Sequence, residues 1–145
     1  MLTNNFLSYL VQAFIRTSSV SNKPTSGSVL TQYPPGNFHN LSEIKIGTGS
    51  TPAKRTDYLL ESPIDSSKYT ASYTVVYTTD FNVENSFLNV QCSFTNTSDD
   101  ELVVSEIGAF GSSYLDRNFM YAREVLDTPV TIPVGETKTF ILKMF

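Results

Sequence analysis

The 145 residues are 40% hydrophobic and 17% charged, enough for one packed domain, too few for two and too apolar for a disordered acidic chain. The net charge is −4 and the ten basic residues are scattered, so the chain lacks the clustered cations that a sequence-independent grip on nucleic acid requires. A single cysteine, Cys92, excludes an internal disulfide framework and a cysteine-based zinc site.

Along the chain, Phe6, Leu7, Leu10, Val11, Phe14 and Ile15 recur at helical spacing behind Thr3 or Asn4 as N-cap, which predicts a short amphipathic helix over residues 3–16. Its apolar stripe needs a partner, because an isolated helix of this length is marginal in water. The same segment is not read as a signal peptide: its first basic residue, Arg16, follows the apolar run instead of preceding it. The run is also too short and too interrupted by Asn, Ser and Gln to cross a bilayer. The expectation is therefore a chain made in a cytoplasm, without membrane contact, whose sequons at Asn40 and Asn96 are chance matches. Residues 17–37 are rich in Ser, Thr, Asn, Pro and Gly and read as an extended arm with one short strand near Val29-Leu30.

From residue 42 the pattern becomes β. Ile44 and Ile46 alternate in SEIKIG, ASYTVVYTTDF is rich in β-branched and aromatic residues, and SFLNVQCSFTN alternates until Asn96-Thr97-Ser98-Asp99-Asp100 ends it as a turn. ELVVSEIGAFG, RNFMYAREVL, a short VTI bounded by Pro129 and Pro133-Val134-Gly135, and the closing ETKTFILKMF follow. The fold class predicted is mainly β: an antiparallel β-sandwich or jelly-roll-like domain over residues 38–145, preceded by the helix and arm of residues 1–37. The last strand carries apolar groups on both faces, so it is either central or covered by another subunit.

The stretch IGTGSTPAKRTDYLLESPI, residues 46–64, has two glycines at dinucleotide-loop spacing. Pro52 stands where a third glycine belongs, and no helix pattern follows to supply the amides and dipole that hold a phosphate. The stretch reads instead as a connection between strands, with Gly47 and Gly49 permitting tight or positive-φ turns, Lys54 and Arg55 exposed, and Leu59, Leu60 and Ile64 anchoring its return to the core or to a neighbouring subunit. His39 is the only histidine, so a transition-metal site or a nucleophile–histidine pair is poorly supplied; Asp99-Asp100-Glu101 lacks calcium-loop spacing. Paired carboxylates depend on the fold rather than on spacing, which leaves Glu84, Glu106 and Glu124 open at this stage. Cys92 alternates with Leu88, Val90 and Phe94 and reads as a buried small hydrophobe. Tyr58, Tyr69, Tyr73 and Tyr77 form either an aromatic platform for sugars or ordinary half-buried sheet positions, the second being the commoner use. Glu106 and Arg123 lie on strands flanking one loop and are expected to form a cross-strand ion pair. No catalytic, cofactor or metal residue is assigned.

The segments LVVSEIGAFG, NFMYAREVLDTPVTIPVGETKTFILKMF and IGTGSTPAKRTDYLLESPI, with the opening MLTNNF, together resemble small virion structural proteins of tailed bacteriophages. Such proteins carry a Glu-Ile-Gly strand, an Ala-Arg strand, a Pro-Val-Thr-Ile-Pro-x-Gly turn and a closing strand; Ala109 stands here where a larger apolar residue is usual. The resemblance implies a virion building block without a reaction of its own, assembled in the host cytoplasm as a ring or trimer and docked on other virion proteins. In that reading the helix residues, Leu59, Leu60 and Phe145 serve as interface. The alternative is a carbohydrate- or receptor-binding module at a tail or fibre tip.

Overall fold

The computed structural model describes residues 1, 3, 20–22, 25–27, 30–32, 41–77, 88–112 and 118–143. Among them the chain is mainly β, with no α-helix. The expected helix falls, apart from Thr3, outside the described residues, and so do Phe6, Leu7, Leu10, Val11, Phe14, Ile15 and Phe145. Within the segment read as an extended arm, β2 (Leu30–Gln32) lies near the expected strand and pairs with a second one, β1 (Val20–Asn22), as a small antiparallel sheet, Val20 opposite Gln32.

The body consists of two antiparallel sheets of three strands. The first has the order β3 (Leu41–Gly47), β6 (Leu102–Ser112), β7 (Asn118–Ile132); the second has the order β4 (Tyr69–Tyr77), β5 (Leu88–Asn96), β8 (Thr137–Lys143). A single 3₁₀ turn, Ser66–Lys68, leads into β4, its entry fixed by the Asp65 carboxylate accepting from the Ser67 amide at 2.8 Å. Both sheets contribute to one core. Ile44, Ile46, Val104, Ile107, Ala109, Phe119, Tyr121 and Ile132 come from the first, and Tyr69, Val90, Cys92, Phe94 and Leu142 from the second. Phe94 is fully buried and meets Tyr69 and Phe140 edge-on, at centroid distances of 5.6 and 6.0 Å, the arrangement that ring quadrupoles prefer.

In β5 the alternation is regular. Val90, Cys92, Phe94 and Asn96 point inward, while Gln91, Ser93 and Thr95 point outward and stand in register with Ile141, Thr139 and Thr137 of β8. Hydroxyl pairs Ser93–Thr139 (2.9 Å) and Thr95–Thr137 (2.7 Å) line that outward face. Strand β8 is an edge strand rather than a central one, and within the chain Leu142 is buried while Ile141 is 56% exposed.

Two irregularities in the β6–β7 pairing set the faces of the residues in those strands. Between Val104 and Glu106 the β6–β7 register shifts, so Leu102 and Val104 point inward before the bulge and Ile107 and Ala109 after it. A second shift places Tyr121 as the extra residue of β7 between the pairs Ala109–Ala122 and Phe110–Met120. Glu106, Phe110, Met120 and Arg123 consequently lie on the face of the sheet turned away from the shared core.

Asn96 ties the turns at one end together. Its Nδ2 donates to the carbonyls of Asp100 (2.7 Å) and Ile132 (2.9 Å), and its Oδ1 accepts from the amide and hydroxyl of Ser98. Its backbone bonds Gly135 and Glu136 across the β7–β8 turn. That turn closes with the Glu136 amide on the Pro133 carbonyl, and Gly135 at φ 76° supplies the positive φ its third position requires.

Candidate functional site

The segment from Thr48 to Pro63 crosses the outer face of the first sheet as a strap. Its ends are held by backbone bonds from Thr48 to Ser62 (2.8 Å) and from Ile64 to Ile46 (2.9 Å). Its apolar contact is Leu60, which packs with Phe110 and Met120 in a second, smaller core. Leu60 is only 2% exposed inside its own chain; its side chain is thereby removed from the interface role expected of it, whereas Leu59 beside it is 39% exposed. Lys54 and Arg55 stand exposed at the strap tip, where the Asp57 carboxylate and amide close a turn on Lys54.

Beneath the strap lies a buried charge cluster. The Glu106 side chain is fully buried, and its two oxygens accept four hydrogen bonds. Oε1 takes the amides of Gly49 (3.2 Å) and Ser62 (2.8 Å), and Oε2 takes the amide of Glu61 (3.1 Å) and Nε of Arg123 (2.7 Å). Arg123 extends its other nitrogens to Asp57 (2.9 Å) and Glu61 (3.3 Å). One guanidinium therefore meets three carboxylates, and the excess negative charge is balanced by strap amides pointing at those carboxylates. Burial alone would lower the Arg123 pKa, but hydrogen bonds to Asp57 and Glu106 and their charges outweigh it and raise it above its ordinary value. Glu61 titrates below its ordinary value, chiefly because the Thr51 hydroxyl and amide donate to its carboxylate, with Arg123 adding attraction.

Glu106 and Arg123 are not directly opposite: Glu106 faces Val125, and Gly108 faces Arg123, which makes the two diagonal neighbours. The strap explains the glycines. Neither Gly47 nor Gly49 has positive φ, which removes the positive-φ half of the expectation drawn from the sequence. A β-carbon on Gly49 would stand 2.6 Å from Glu106 Oε1 and from the Glu61 β-carbon, and one on Gly47 would collide with the same Glu106 oxygen. These glycines are needed because the strap backbone lies directly on a carboxylate.

As a chemical group Glu106 is fully engaged, with no lone pair directed at open space. Glu124 is half-buried on β7, and Glu84 and His39 fall outside the described residues. Among the described residues no cluster of His, Cys, Asp or Glu could hold a metal ion. Cys92 is fully buried; burial first, then the charge of Glu124, pushes its thiol up to about 12. Three of the four tyrosines do not share one platform: Tyr69 is buried against Phe94, Tyr73 donates its hydroxyl to the Leu41 carbonyl, and Tyr58 lies half-buried on the strap; the side chain of Tyr77 lies outside those described.

Two features had no counterpart in the sequence reading. The first is a short pairing along the outer edge of β7. The Met1 nitrogen donates to the Arg123 carbonyl (2.7 Å), the Arg123 amide donates to the Met1 carbonyl (3.0 Å), and the Thr3 amide donates to the Tyr121 carbonyl (2.8 Å). The second is the contrast among the sheet edges. The β7 edge is covered at residues 121–123 and interrupted further on around Pro129. Strand β3 carries Glu43 and Lys45 and a bulge, and β8 carries Lys138 and Lys143. Strand β4, YTASYTVVY, has no charge, no Pro, no Gly and no register break against β5. Its residues Thr70 to Val76 are all exposed, with Tyr73 at 37%, Val75 at 40% and Val76 at 39%. Among the described residues no strand pairs with its second edge.

Comparison with known proteins finds no matching family model, no similar curated protein and no similar solved structure.

Proposed function

We propose that this chain is a non-catalytic structural subunit of a bacteriophage virion, a jelly-roll-like β-sandwich that assembles in several copies and docks on other particle proteins. The observation carrying this reading is β4, a nine-residue uncharged edge strand whose residues Thr70 to Val76 are all exposed, which is a template for pairing with another chain. The polar chemistry of the first sheet supports it, since Glu106 and Arg123 are engaged in fastening the strap and present no reactive group. Both residues also fall inside the segments that carry the resemblance to virion proteins, and the strap they hold is another of those segments.

The glycan-binding alternative finds no common surface at Tyr58, Tyr69 and Tyr73, which face different surroundings. The test is the protein composition of purified particles from cells carrying the gene, by quantitative mass spectrometry. The proposal expects the chain at a fixed multiple of the particle's other structural proteins; its absence from washed, intact particles would overturn it.

A further inference from the structure

We infer that β4 is where two copies of this chain meet, their β4 strands pairing antiparallel about a twofold axis so that the two second sheets become one continuous sheet. The inference rests on the assembly reading above and names the partner and the contact. Edge strands are ordinarily protected by charges, prolines, bulges or cover, and in the two three-stranded sheets β3, β7 and β8 have such protection. Among the described residues β4 has none.

The chemistry of β4 suits a second β4 better than a charged partner. With no ionised side chain on the strand, self-pairing sets no like charges opposite each other. On β8, by contrast, a twofold midway between Phe140 and Ile141 would place Lys138 against Lys143 of the other copy. A twofold through Tyr73 sets Val75 against Ala71, Val76 against Thr70 and Ser72 against Thr74, matching apolar with small groups and hydroxyl with hydroxyl. Nine strand residues at about 3.4 Å each make a contact about 30 Å long. A stable interface of about 1,000 Å² in total, or about 500 Å² per copy, then needs a width of about 17 Å. Tyr73 and Val75 on one face of the strand and Thr74 and Val76 on the other, all exposed, extend the contact beyond the backbone.

The experiment compares the full chain with its Val75→Lys, Val76→Lys and Gln91→Lys variants by sedimentation at micromolar to submillimolar concentration. Circular dichroism and melting curves confirm that each is folded. Position 75 or 76 puts a lysine on the free edge, whereas position 91 puts one on the outward sheet face in central strand β5. The expected result is association of the wild type and of Gln91→Lys, with at least a tenfold weaker association in both edge variants. Undiminished association of either folded edge variant overturns edge pairing. Equal loss in Gln91→Lys overturns it in favour of face-to-face stacking. A wild type that stays monomeric throughout contradicts the assembly reading itself, which distinguishes the two failures.

Discussion

Replacing Arg123 with alanine should be among the most damaging single changes available in this chain. It leaves the fully buried Glu106 carboxylate without its cation and leaves Asp57 and Glu61 facing that carboxylate with no guanidinium between them. Breaking a buried pair by removing one member costs about 3–5 kcal/mol. Against a domain stability of about 5–15 kcal/mol that is a large fraction. With a urea dependence of about 2 kcal/mol per molar, the midpoint should fall by about 2 M. Urea titration followed by circular dichroism reads this directly. The double variant Glu106→Leu/Arg123→Met carries the sharper distinction. Were the pair only an ion pair, an apolar replacement of similar volume would be close to neutral. Glu106 also accepts the Gly49, Glu61 and Ser62 amides, and a buried donor left without a partner costs about 1–3 kcal/mol. The double variant should therefore stay well below wild type. Arg123→Ala within about 0.5 kcal/mol of wild type, or full recovery in the double variant, would refute the clamp.

The remaining expectations are narrower. Gly49→Ala should cost about 1–3 kcal/mol through overpacking against Glu106 and Glu61; a neutral or stabilising effect would show that the glycine matters only to the unfolded chain. Asn96→Ala should lose roughly 1–3 kcal/mol, because the buried Ile132 carbonyl loses its side-chain donor, and unfolding titrations check it. Glu61→Gln should be less stable than wild type at neutral pH. Because the folded pKa of Glu61 is depressed, its contribution is present above the unfolded value of about 4.3 and disappears as pH falls through the lower folded value, so the two proteins should converge in acid. A gap that persists unchanged at low pH would contradict this. The Cys92 thiol should react with a thiol reagent at pH 8 only as fast as the core opens, and labelling in the folded state at the rate of a free thiol would contradict its burial.

How far the sequence alone reaches depends on how local the cause is. Alternation in β5 and the turns at Asn96 and Pro133-Val134-Gly135 were legible, because each follows from neighbouring residues and one buried face. The faces of β6 and β7 were not. Unbroken alternation from Leu102 and Val104 would turn Glu106 toward the shared core; the shift that prevents it leaves Ser105 of β6 and residues 126–129 of β7 unpaired, and Pro129 marks that interruption without fixing which way Glu106 turns. The stretch after Ile46 reads correctly as a connection, but its glycines were assigned to backbone conformation. Their actual cause is a carboxylate some sixty positions away along the chain, and only the tertiary structure brings the two together. Arg123 and Glu106 could be matched from their positions beside one loop. Asp57 and Glu61 could not, since the strap that delivers them to Arg123 folds over the sheet from outside the hairpin. The Met1 and Thr3 rungs on β7 belong to the same category, being contacts across nearly the whole chain.

The central claim is that this chain works as an assembled subunit, and sedimentation equilibrium of the full chain over a wide concentration range tests it most directly. The account predicts a mean mass that rises with concentration from one chain toward a whole-number multiple. A mass that stays at one chain up to submillimolar concentration would contradict it.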